Sequence, residues 1–115
     1  MGDCPFCERI RTGDFFGEGP AAASFEPLNP VTPGHRLYIS RSHVEHAAED
    51  PYVTAAVMQA AAFAARKVGD CNLITSVGPA ATQTVRHLHI HLVPRTRLDG
   101  LSLPWTGQRR EGPRG

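Results

Sequence analysis

Hydrophobic and polar positions alternate most clearly between His87 and Val93, where His87, His89 and His91 are interleaved with Leu88, Ile90 and Leu92. Residues two apart on a strand share a face and lie about 6.5–7 Å apart along it. The pattern therefore predicts a strand over 84–93, with three imidazoles on one face and an aliphatic stripe turned to a core. A helix would scatter the same histidines around its axis. His35 to Ser40 predicts a second strand from its aromatic and β-branched content, and Cys71 to Val77 a third. Ala21 to Phe25 predicts a weaker one. Prolines 27, 30 and 33 with Gly34 make 26–34 a turn-rich connection, and 17–20 and 78–81 read as turns.

A longer period governs 51–67. Val53, Val57, Ala60, Ala61 and Ala64 recur at helical spacing, between an Asp50 N-cap with Pro51 at the first position and Gly69 at the far end. Small alanines allow this helix to lie close on a sheet, and Arg66 and Lys67 suit its C-terminal dipole. Residues 4–12 predict a short helix stopped by Gly13. Beyond 95 the periodicity fades. We read residues 1–100 as a single domain and 101–115 as a C-terminal segment, partly flexible, with Trp105 its only anchor and Arg109, Arg110 and Arg114 on a solvated tail.

Composition narrows the class of protein. The chain has 115 residues, and 12 Lys and Arg against 11 Asp and Glu leave a net charge of +1. Such a balance gives no steering toward nucleic acid or an acidic membrane. No apolar run approaches the roughly 18 residues of a membrane span. The opening Met-Gly-Asp-Cys lacks a secretory pattern and fits myristoylation poorly. Three cysteines, an odd number, argue against a disulfide framework and for a reducing compartment. The expectation is a cytoplasmic protein with no nucleic-acid or membrane partner.

Three histidines in register leave two chemical readings open. Alternate imidazoles can converge on a metal. A neutral imidazole can also attack an electrophile while its neighbours handle charge and protons. Cys4-Pro-Phe-Cys7 is equally open between half a zinc site, a redox pair and chance, although the βαβ context of a redox pair is missing. Cys71 reads as strand packing, and His46 as a surface residue before the long helix.

His87-Leu-His-Ile-His-Leu-Val93 resembles the His-x-His-x-His-x-x signature of the histidine triad (HIT) superfamily. The context agrees: Pro30-Val-Thr-Pro-Gly-His35, then Leu37 to His43, then Asn72 to Gly78, Gln83 to His87 and Val93-Pro-Arg95 are similar to the family's other segments. The resemblance spans roughly residues 4–95. It implies an α+β, HIT-like fold, an antiparallel sheet of about five strands with packed helices, commonly a homodimer. It implies hydrolysis or transfer at a nucleoside 5′-phosphate, on a phosphoramidate, adenylate or dinucleoside polyphosphate, without an organic cofactor and with a purine nucleotide derivative as substrate. His89 matches the nucleophile that forms a nucleotidyl-histidine. His91 and His35 match residues that contact phosphate oxygens or the leaving group, and Gln83 and Thr84 match phosphate donors.

Two positions depart from the family pattern. Pro27 stands where many members carry an Asp that grips the ribose, leaving Glu26 and Asn29 as candidate substitutes. Ser76 stands where many carry Asn. The resemblance also implies a structural zinc on Cys4, Cys7, His43 and His87, as in some bacterial-type members, and C-terminal packing of Leu101 to Pro104 and Trp105 near the site or a partner subunit. Two alternatives remain beside the hydrolase: a metal-dependent enzyme using the three histidines as ligands, and a non-catalytic nucleotide-binding or interaction module.

Overall fold

The computed structural model describes residues 4–105. Helix α1 spans Pro5–Thr12, and strands β1 and β2 span Phe16–Gly17 and Ala22–Phe25. Strand β3 is Arg36–Ser40, α2 is Pro51–Val68, and β4 is Cys71–Ile74. A single 3₁₀ turn, Pro79–Ala81, precedes β5 at His89–Pro94. The strands form one antiparallel sheet in the order β1-β2-β3-β5-β4. The expected α+β architecture with five strands is the one observed.

The caps predicted for α2 are made. The Asp50 carboxylate accepts from the amides of Tyr52 and Val53 at 3.1 and 3.3 Å, and Gly69 closes the helix onto the Ala65 carbonyl. Helix α1 has an unusual N-cap: the Cys7 amide donates to Cys4 Sγ at 3.2 Å.

Each sheet face carries its own cluster. On one, Val57 and Ala61 of α2 pack on Ala22, Tyr38, Leu88, Ile90 and Leu92. On the other, Phe6 of α1 packs on Ala23, Phe25, Leu37 and Ile39. Register settles which face the histidines take. His89 pairs with Ile39, and His91 with Leu37 and Ile74, so both imidazoles lie on the α1 face while Ile90 and Leu92 fill the α2 face.

Two strand boundaries and one added strand differ from expectation by more than a residue. Strand β5 begins at His89, not at Thr84, because the preceding residues bond to a loop instead. The Leu88 amide donates to the Val44 carbonyl at 2.8 Å, and the Gln83 side-chain amide donates to the carbonyls of Glu45 and Val85. Strand β4 stops at Ile74, after which Thr75 turns its hydroxyl to the His89 carbonyl at 2.7 Å. The two-residue β1 was not expected; its two paired residues carry no periodicity to read.

Gly34 has φ +87°, and a Cβ there would stand 3.1 Å from Pro94 Cγ. Gly34→Ala is expected to cost about 1–2 kcal/mol, from left-handed strain and that contact. A thermal melt should show this as a fall of roughly 3–8 °C.

Candidate active site and metal centre

His89 and His91 open into a cavity of about 790 Å³ between α1, the 27–35 connection and the 82–85 segment. The His89 Nδ1 lies 2.7 Å from the His87 carbonyl. A carbonyl only accepts, so Nδ1 carries the hydrogen and Nε2 keeps its lone pair. Burial pushes the His89 pKa down, against the opposing pull of that hydrogen bond, and the ring stays neutral.

A second chain of bonds fixes the neighbouring rings. The Val31 amide donates to His35 Nδ1 at 3.1 Å. In the neutral ring His35 Nε2 therefore carries its hydrogen, which it directs to His91 Nδ1 at 3.0 Å. His91 in turn holds its own hydrogen on Nε2 as an available donor. Its ring centroid is 5.3 Å from that of His89. The site thus sets an imidazole lone pair beside an imidazole N–H.

Burial, aided by the nearby charges His89 and His35 would carry, pushes His91 down to about 4. Unfolded, the same ring takes up a proton near pH 6.5. The folded state binds fewer protons between those values, so this group's stabilisation is present above pH 6.5 and is lost as pH falls toward 4. His91→Gln carries no such linkage. The melting-temperature difference between parent and His91→Gln should therefore shift against the parent as pH falls from 7 to 4.5.

The remaining expected residues are distributed unevenly. Ser76, Thr84 and Asn29 line the cavity, whereas Glu26 is exposed and is not among the lining residues. Gln83 lines it too, but its amide is committed: Oε1 accepts from the Gly78 amide at 2.8 Å and both amide hydrogens go to the Glu45 and Val85 carbonyls. In this arrangement Gln83 braces the loop and has no spare donor. Trp105 is exposed, and Arg109, Arg110 and Arg114 lie outside the described residues. Cys71 packs against the α2-side cluster, and His46 accepts from the Ala48 amide.

His87 belongs to a different centre. It is fully buried, and its Nε2 lies 2.7 Å from the Ser40 carbonyl, which places the hydrogen there and leaves Nδ1 free to ligate. That Nδ1 faces Cys4 Sγ at 3.3 Å and Cys7 Sγ at 3.5 Å, while His43 Nδ1 is 3.1 Å from Cys7 Sγ. All four donor atoms lie within 4.8 Å of one another. Tetrahedral bonds of about 2.3 Å to sulfur and 2.0 Å to nitrogen require sulfur–nitrogen separations near 3.5 Å, so the donor set fits a metal ion such as zinc. Burial and the adjacent Cys4 push the Cys7 thiol up to about 11, and a bound cation would offset that cost of ionisation. The three triad histidines share the α1 side but not one ligand set, which removes the geometric basis for a metal held by all three.

Residues not singled out beforehand complete the centre. Phe6, between the two cysteines, sets its ring edge-on to both His87 and His89, at 5.8 and 5.1 Å. Val31 acts through its backbone amide and Ser40 chiefly through its carbonyl, with its hydroxyl 3.3 Å from the same His87 Nε2; side-chain chemistry gives no signal for such backbone groups. Phe6 was legible in principle as the apolar residue of the Cys-Pro-Phe-Cys turn.

The chain is similar to several known proteins. The family profile described as HIT domain matches residues 10–98. The chain is 32% identical to an adenylylsulfatase of Arabidopsis thaliana, the match covering 86% of this chain but only 55% of that protein's length. It is 30% identical to an adenosine 5′-monophosphoramidase of Saccharomyces cerevisiae, over 94% of this chain and 73% of that one. Among solved structures, a hypothetical protein from Leishmania major superposes with a TM-score of 0.79 at 30% identity, covering 95% of this chain and 85% of that one. A HIT family hydrolase from Clostridium thermocellum gives 0.74 at 28% identity, with 85% and 95% covered. Motif, sheet and relatives converge: the chain belongs to the HIT domain family.

Proposed function

We propose that the protein is a nucleoside 5′-phosphate hydrolase or transferase that works through a nucleotidyl-histidine on His89. The observation that carries the reading is the 2.7 Å bond from His89 Nδ1 to the His87 carbonyl, which directs the Nε2 lone pair away from the backbone on a ring lining the cavity. Attack by Nε2 forms a bond to the α-phosphorus and breaks the bond to the leaving group, which departs with its electron pair. The Nε2 hydrogen of His91, on the ring beside His89, is an imidazole donor for phosphate oxygen or leaving group, with His35 relaying behind it. The product is a charged imidazolium phosphoramidate, held at Nδ1–H by the carbonyl. Water or another acceptor then attacks phosphorus, the P–N bond breaks, and His89 returns to its neutral form.

The adenylylsulfatase and phosphoramidase relatives support a nucleotide bearing a leaving group on its 5′-phosphate. Ser76, Thr84 and Asn29 are the cavity's uncommitted polar candidates for phosphate and ribose. Cys4, Cys7, His43 and His87 would hold a structural zinc, which supplies a cross-link between α1 and the triad segment and takes no part in phosphoryl transfer. The test is intact-protein mass spectrometry during turnover of adenosine and guanosine 5′-phosphoramidates. A nucleotidyl adduct mapping to His89 is expected. Turnover undiminished in His89→Ala would overturn the reading.

A further inference from the structure

One charged side chain of the cavity has no part in the chemistry just described. Arg9 lines it, on the turn of α1 that follows Phe6, and among the described residues no carboxylate does. Its guanidinium carbon sits 3.9 Å from the centre of the Phe25 ring, and Phe25 meets Phe6 edge-on at 5.4 Å. Phe6 in turn meets His89. An aromatic ladder therefore runs from the nucleophile to the guanidinium. Leu28 and Val31 also line this cavity, and they are 89% and 53% exposed. Exposed aliphatic side chains beside aromatic rings suit a flat heterocycle.

The orientation of Arg9 is held. Nη1 donates to the Asp14 carbonyl at 3.2 Å and faces the Asp14 carboxylate at the same distance. Among the described residues, Nε and Nη2 have no hydrogen-bond acceptor. Their parallel N–H bonds form the fork that matches two adjacent acceptors. Guanine presents such a pair in O6 and N7. Adenine presents N7 beside an amino group, which sets hydrogen against hydrogen.

Resting on the nucleotide reading above, we propose that Arg9 selects the base, and that the preferred substrates carry a 6-oxopurine such as guanine rather than adenine. Side-chain forks of this kind discriminate between bases by about tenfold or more.

The test is calorimetric binding of GMP, IMP and AMP to the full chain and to Arg9→Leu and Arg9→Lys. IMP keeps O6 and N7 but lacks the guanine amino group, so it isolates the edge in question. GMP and IMP are expected to bind at least about tenfold more tightly than AMP. In Arg9→Leu that ratio should fall toward one. Arg9→Lys should lose most of it while keeping the charge, which separates the fork from simple attraction to phosphate. AMP binding as well as GMP, or a ratio untouched by Arg9→Leu, would overturn the role of Arg9 and leave the nucleotide reading standing. Failure of all three nucleotides to bind at millimolar concentration would overturn both. If Arg9→Leu did not fold, the parent's own ratio and that of Arg9→Lys would still decide.

Discussion

His89→Ala should lower kcat/KM for a nucleoside phosphoramidate by about 10⁴-fold or more, the range met when a covalent nucleophile is deleted. The variant should fold, because the ring lines an open cavity and its packing partner Phe6 keeps its contacts with Phe25. A circular dichroism melt checks that point. His91→Ala should cost less, about 10²–10⁴-fold, since it removes a proton donor and leaves the bond-forming atom in place. Its loss should also depend on the leaving group, largest where the departing atom most needs a proton. Added imidazole should restore part of the activity of His89→Ala and none of that of a folded variant whose defect lies elsewhere. Equal losses in the two variants, with no leaving-group dependence, would contradict the division of labour between an Nε2 lone pair and an Nε2 hydrogen.

That division was only partly legible in the sequence. Alternation from His87 to Val93 fixes which residues share a face, and the register with β3 shows that the face of His89 and His91 is the α1 side. It does not say where the strand begins. His87 keeps the alternation yet precedes β5, because the Leu88 amide pairs with the Val44 carbonyl and the Gln83 side chain with that of Glu45, a non-local choice invisible to local propensity. The helix α2 was readable to within a residue because its signals, Asp50, Pro51 and Gly69, are local. The cysteine–histidine quartet is the opposite case. Cys4 and His87 are 83 positions apart, and only the family resemblance brought them together before the fold did. Arg9 lies three residues after Phe6, hence on the same helix face, but its meaning depends on Phe25 arriving from another element. Gln83 shows the converse hazard: a motif position names a residue type, while its hydrogen bonds depend on the loop around it.

Loss of the proposed zinc should damage stability and chemistry together. Cys4 and Cys7 sit at the start of α1, His43 in the loop after β3, and His87 just ahead of β5, so a zinc ion would tie three separate segments together. Cys7→Ser, or exhaustive chelation, should lower the melting temperature by about 10 °C or more, as expected for a loss of roughly 3 kcal/mol in a domain of this size. Activity should fall as well, through two paths visible in the geometry. The carbonyl that holds His89 Nδ1 belongs to His87, a ligand, and the ring that packs edge-on to His89 belongs to Phe6, flanked by the two cysteines. Zinc content by plasma mass spectrometry should read one ion per chain in the parent and none in the variant. Restoring zinc to the chelated protein should recover the melting temperature and kcat together, since both depend on the same placement of His87. Full activity in zinc-free, folded protein would separate the two centres and show that the His87 carbonyl holds the nucleophile without help from the metal.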